Sequence, residues 1–130
     1  MFLADTNVVS ELMKLRPNRG VAAWAELQPV VAMSVVTLEE IAYGASRKPG
    51  AIAEGGLQVL LRQYEVVTVD ANIALRSGLL RAQLAARGRV RQQADMLIAA
   101  TAYERGYALA TRNVRDFEGC GIRLVNPFSS

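Results

Sequence analysis

Phe2-Leu3-Ala4-Asp5-Thr6-Asn7-Val8-Val9-Ser10-Glu11-Leu12 begins as a short apolar run, breaks at an acid and continues with apolar residues at helical spacing. A strand ending on Asp5 that passes directly into a helix bearing Val8, Val9, Leu12 and Leu15, halted by Pro17, reads as the first βα unit of a parallel sheet. The rhythm repeats along the chain. Val30–Val36 is β-branched and reads as a buried strand, with Thr37 as the N-cap of a helix carrying Leu38, Ile41, Ala42 and Ala45. Glu65–Val69 is the next strand. Asp70 caps a helix over Ile73–Arg87, whose Ala74, Leu75, Leu79, Ala82 and Ala86 supply the apolar period and which Gly88 stops. Ala94–Tyr103 is an alanine-rich helix closing near Gly106, and Val21–Leu27 and Ala51–Gln63 are two more helices. Tyr107–Ala110 and Ile122–Val125 are the last strands, with the turn-prone segment Thr111–Gly121 between them. The expected architecture is a three-layer α/β/α sandwich around a mostly parallel sheet of about five strands.

The chain has 130 residues, of which 52% are apolar, with no repeat or linker, so one domain over residues 1–130 is expected. That length buries roughly two thirds of the surface exposed on unfolding, which removes any need for a disulfide or a structural metal. The single cysteine, Cys120, has no internal partner and fits a reducing cytoplasm. No basic segment precedes Asp5, and the longest apolar run, near Val30–Val36, falls far short of the ~20 residues that span a bilayer. A cytoplasmic protein without membrane association is expected. The absence of histidine removes imidazole acid/base catalysis, Ser-His-Asp and Cys-His nucleophiles and His-ligated zinc together.

In open parallel sheets the reactive groups gather beyond the carboxyl ends of the strands. Asp5 follows the first strand, while Thr111, Arg112, Asn113 and Asp116 follow the fourth. Asp95 opens the alanine-rich helix, and Glu39 or Glu40 lies in the first turn of the helix after the second strand. Each acid alone suits a cap or a helical first turn. Several together would repel, by about 4 kcal/mol for a pair 4 Å apart at an effective dielectric near 20. A hard divalent cation held by oxygen, Mg²⁺ or Mn²⁺, resolves that repulsion; a calcium loop is not indicated, because its D-x-[DN]-x-[DN]-G run is missing. Without histidine, water activated by the metal is the available nucleophile, which suits phosphodiester hydrolysis. On a helical wheel Glu40 falls opposite Leu38, Ile41, Ala42 and Ala45, a position equally suited to a cleft or to solvent, so the choice between the two glutamates stays open on these grounds.

At these residues the chain resembles the PIN-domain ribonucleases, and among them the VapC/FitB-type toxins of toxin–antitoxin modules. The resemblance is carried by Leu3-Ala4-Asp5-Thr6-Asn7-Val8-Val9-Ser10-Glu11-Leu12, Ser34-Val35-Val36-Thr37-Leu38-Glu39-Glu40-Ile41-Ala42-Tyr43-Gly44, Ala94-Asp95-Met96-Leu97-Ile98-Ala99-Ala100-Thr101-Ala102 and Thr111-Arg112-Asn113-Val114-Arg115-Asp116-Phe117, in that order, with a terminal Val125-Asn126-Pro127. It implies a Mg²⁺- or Mn²⁺-dependent endoribonuclease with Asp5, Glu40, Asp95 and Asp116 as metal ligands and Thr111 as a polar partner. Thr6 or Asn7 would orient Asp5. Glu40 is preferred to Glu39 on the family's Thr-Leu-x-Glu-Ile pattern. The resemblance also implies a homodimer, silenced by a cognate antitoxin.

All fifteen basic residues but Lys14 and Lys48 are arginine. Arg87, Arg89 and Arg91 cluster just before Asp95, and Arg112 follows Thr111, so these four are the candidate contacts to an RNA backbone, which a guanidinium fork suits. Aromatic residues are few and scattered and offer no stacking platform, which favours recognition of a folded RNA by shape. Two other classes of function compete with this reading. A phospho-acceptor signalling domain also places acids at strand ends but expects a lysine on a late strand, whereas both lysines are early. A catalytically silent module acting with an antitoxin would have no use for the full set of acids.

Overall fold

The computed structural model describes residues 1–48 and 55–129. Five strands, β1 (Phe2–Ala4), β2 (Val31–Ser34), β3 (Tyr64–Val67), β4 (Ala108–Ala110) and β5 (Leu124–Val125), form one sheet in the order β3-β2-β1-β4-β5, every pair parallel. The helices are α1 (Thr6–Leu12), α2 (Arg19–Glu26), α3 (Val35–Arg47), α4 (Gly56–Gln63), α5 (Ala71–Ala86) and α6 (Gln93–Arg105), with a 3₁₀ turn at Val114–Phe117. Residues 51–54 of the expected helix over Ala51–Gln63 lie outside the described residues.

The alternation of a strand sorts its side chains onto two faces. Leu3, Ala32, Val67 and Leu109 join Ile73 and Leu84 of α5 and Met96, Ile98 and Ala99 of α6 in one core. Ala4, Val31, Met33 and Ala110 join Val8, Val9, Val21, Ile41 and Leu60 in the other, against α1, α2, α3 and α4. This is the three-layer sandwich the sequence implies, with a sheet that is wholly rather than mostly parallel. Cys120 is buried and free. Among the described residues no helix is long and apolar enough to cross a membrane.

The chain winds outward from β1 through β2 to β3, then returns to lay β4 and β5 on the other side of β1. The order therefore reverses between β1 and β4. In such sheets the two connections leave in opposite directions at that point and open a crevice beyond the strand ends. Asp5 and Thr111 are the residues that follow β1 and β4 into it.

Several sequence expectations are corrected. The second strand ends at Ser34, not Val36, and Ser34, not Thr37, caps the following helix, its Oγ accepting from the Val36 amide at 3.0 Å. A satisfied helix-end donor outweighs the modest strand preference of Val35 and Val36. Glu39 and Glu40 consequently stand in the second turn of α3, with no acid in its first. Helix α1 stops at Leu12, and Leu15 is almost fully exposed. The face of α5 turned to the core is Ile73, Ser77, Leu80 and Leu84, whereas the expected stripe points outward, with Leu75 64% and Leu79 56% exposed. Trp24 packs edge-on to Phe2 at 5.4 Å, whereas Tyr43 is 60% exposed.

Candidate active site

Asp5 directly follows β1 and is the N-cap of α1: its Oδ1 accepts from the Thr6 amide at 2.8 Å. Its Oδ2 accepts from the Thr111 hydroxyl at 2.7 Å and from the Asn7 side-chain amide at 3.2 Å. Thr111 is fully buried and Asp5 only 4% exposed. The Thr111 Oγ1 in turn accepts from the Asn113 amide at 3.0 Å, and the Asn7 Oδ1 accepts from the Arg112 amide at 3.2 Å. Two side chains thus tie the loop after β4 to the loop after β1 across the switch point. Burial pushes the Asp5 carboxyl above its ordinary range and the nearby Glu40 adds to this, while the Thr111, Thr6 and Asn7 donors partly offset it.

Asp95 sits in the first turn of α6 and lines a polar pocket with Val90, Arg91, Gln92, Asn113 and Asp116. Its carboxyl is pushed up to about 6, first by burial and then by the charges of Asp5, Asp116 and Glu40, with Arg91 opposing. Asp95 and Asp116 thus share one pocket. Asp116 is carried by the 3₁₀ turn, its amide bonded to the Asn113 carbonyl at 3.0 Å. Glu40 is half-buried and accepts from the Thr6 hydroxyl at 2.6 Å, whereas Glu39 is exposed. The geometry therefore separates two glutamates that the helical wheel could not.

Among the described residues the salt bridges are Lys14–Glu11 and Arg76–Glu104, so none of the four acids is ion-paired there. Asp95 and Asp116, lining one pocket without a salt-bridged cation, have the donor chemistry that a hard cation takes. Among the described residues no three of the acids stand close enough together to hold a metal ion as the side chains are placed.

Of the four arginines singled out, Arg91 lines the acid pocket, its Nη2 donating to the Arg115 carbonyl at 3.3 Å and its Nε buried without a partner among the described residues. Arg112 lies over the Phe128 ring at 4.9 Å. Arg87 and Arg89 are exposed in the α5–α6 connection and do not line the pocket. Asn7, expected only to orient Asp5, also bridges to the Arg112 amide, and sequence reasoning missed the part of Thr37, whose hydroxyl lies 3.1 Å from that of Thr6. The spacing of Thr37 and Glu40, three apart on one helix and hence on one face, was the available signal for the latter.

A wholly parallel α/β sandwich with Asp5 and Thr111 at its switch point, and Asp95 and Asp116 in one pocket, is the class of domain the fold defines. The PIN domain family model matches residues 2–119, and the chain belongs to that family. It is 33% identical over 137 aligned positions to the VapC ribonuclease Y4jK of Sinorhizobium fredii, covering 98% of both chains. It is 33% identical over 123 positions to the tRNA(fMet)-specific endonuclease VapC of Shigella flexneri, covering 92% of each. Among solved structures, a toxin–antitoxin complex from Klebsiella pneumoniae contains a chain that matches over the full length of both, with a TM-score of 0.78 and 28% identity.

Proposed function

We propose that this chain is an endoribonuclease toxin of a toxin–antitoxin module, using Mg²⁺ or Mn²⁺ at Asp5, Asp95, Asp116 and Glu40 to hydrolyse RNA phosphodiester bonds. The observation that carries the reading is the buried Asp5, bonded by Thr111, with Glu40 linked to it through Thr6, Asp95 and Asp116 lining one polar pocket, and, among the described residues, no salt bridge to any of the four. When bound, the ion supplies Lewis acidity toward water and phosphate oxygen, the chemistry histidine would otherwise share. Thr111, Asn7 and the Thr6 amide fix both oxygens of Asp5, so its lone pairs arrive pre-aimed. Arg91, anchored on the Arg115 carbonyl beside Asp95, is the arginine suited to hold a backbone phosphate against the acids. Arg112 flanks the same loop, while Arg87 and Arg89 are left to more distant phosphates.

The relatives' descriptions as ribonuclease and endonuclease support the RNA substrate, and the toxin–antitoxin complex among the structural matches supports a cognate antitoxin as partner. A cytoplasmic site of action follows from that role. The outward apolar stripe of α5, Leu75 and Leu79, supports a homodimer, since adjoining exposed leucines are typical of association surfaces. Leu79→Glu is expected to convert the dimer to monomer in analytical ultracentrifugation; an unchanged sedimentation coefficient would show that this face does not self-associate.

The function is tested by incubating purified protein with total RNA in Mg²⁺ or Mn²⁺. Discrete internal cleavage is expected, falling about a hundredfold or more in EDTA. Equal cleavage in EDTA would exclude the metal-dependent mechanism.

A further inference from the structure

Thr37 is fully buried on α3, one helical turn before Glu40, and among the described residues its hydroxyl has one hydrogen-bond partner, the Thr6 Oγ1 at 3.1 Å. Thr6 Oγ1 also lies 2.6 Å from Glu40 Oε1. A hydroxyl carries a single hydrogen, and a carboxylate oxygen only accepts. The Thr6 hydrogen is therefore committed to Glu40, and the contact between the two threonines is made by the Thr37 hydroxyl donating to Thr6. The result is a directed chain, Thr37 to Thr6 to Glu40. Thr6 is at the same time the residue whose amide donates to Asp5 at 2.8 Å. One residue thus spaces two acids that come from different segments, the junction of β1 with α1 and helix α3.

We propose that Thr37 is a positioning residue of the acidic site: by donating to Thr6 it fixes the rotation of the Thr6 hydroxyl and so holds the Glu40 carboxylate at a set distance from Asp5. The inference rests on the reading of the four acids as one site. A buried hydroxyl without a partner is costly, so the chain resists being broken once formed. Donors in series also polarise one another, which strengthens the terminal bond to the carboxylate. Without Thr37, Thr6 keeps its bond to Glu40 but loses the contact that selects its rotamer, and Glu40 gains freedom where two like charges must be held together.

The test is a double-mutant cycle on the metal-free protein, with Thr37→Val, Glu40→Gln and both together, read by denaturant unfolding. Thr37 and Glu40 share the Thr6 hydroxyl as their common partner, so coupling between them runs through Thr6. The double variant is expected to depart from additivity by roughly two- to tenfold in the unfolding equilibrium constant. In RNA cleavage, Thr37→Val is expected to lose about tenfold in kcat with KM little changed, and Thr37→Ser, which keeps the hydroxyl, to restore most of it. Additivity in the cycle, or full kcat in Thr37→Val, overturns the proposal. If the unmodified protein cleaves no RNA, the nuclease reading fails by itself, and the unfolding cycle still decides the role of Thr37.

Discussion

Asp95→Asn is expected to abolish RNA cleavage and, in the metal-free protein at neutral pH, to raise the melting temperature. These two effects have one origin. The carboxyl is pushed up from an ordinary 3.8 to about 6 because burial and the charges of Asp5, Asp116 and Glu40 disfavour its ionised form. A carboxyl with a raised folded-state pKa holds its proton more tightly folded than unfolded. Its contribution is thus a penalty that is absent below about pH 4, grows between about 4 and 6, and is complete above 6. Metal-free protein should accordingly gain stability on acidification from pH 7 toward 4, and the Asp95→Asn variant should show a flatter profile over that range. The full shift would be worth roughly 3 kcal/mol at 1.36 kcal/mol per unit. Asp95 is only half-buried, and solvent screening reduces this to about 1 kcal/mol, or roughly 3–5 °C for a domain of this size. A melting temperature that falls in Asp95→Asn would contradict the crowding of acids. Retained cleavage would remove Asp95 from the site.

Thr111→Val is expected to move stability in the opposite direction. The valine keeps the shape but leaves Asp5 Oδ2 without its shortest donor and the Asn113 amide without its acceptor. Loss of a buried hydrogen bond to a charged group costs about 1.5–3 kcal/mol, roughly 5–10 °C in melting temperature, and cleavage should fall by about tenfold or more as Asp5 loses its orientation. Thr111→Ser should recover most of both. The contrast matters because Asp95→Asn relieves a conflict between like charges, whereas Thr111→Val removes a support. Calorimetric melts of the two variants at pH 7 in EDTA should straddle the parent protein, and both melting below it would contradict that division.

The sheet and its acids are legible in the sequence for one physical reason. Strands that stop at Ala4 and Ala110 place Asp5 and Thr111 just beyond their carboxyl ends, and the topology of parallel sheets does the rest. Periodicity alone does not orient α5. That helix carries two apolar stripes of the same spacing, and the longer-looking one, with Leu75 and Leu79, faces outward, while the buried one includes Ser77. The start of α3 is misread because Val35 and Val36 have strand character, although the Ser34 hydroxyl already closes the helix end. That shift also hides Thr37: a residue that reads as a cap instead reaches Thr6, a contact between segments that no local pattern encodes. On physical grounds Glu40 separates from Glu39 only through a contact of the same long-range kind, its bond from the Thr6 hydroxyl.

If Asp5, Glu40, Asp95 and Asp116 bind a divalent cation together, the metal-free protein should take up Mn²⁺ at pH 7 and deplete the electron paramagnetic resonance signal of the free ion. Saturable binding is expected, displaced by Mg²⁺ and weakened about tenfold or more by Asp95→Asn. Mn²⁺ binding of equal affinity in the parent protein and in Asp95→Asn, or no saturable binding in either, would contradict a shared cation site.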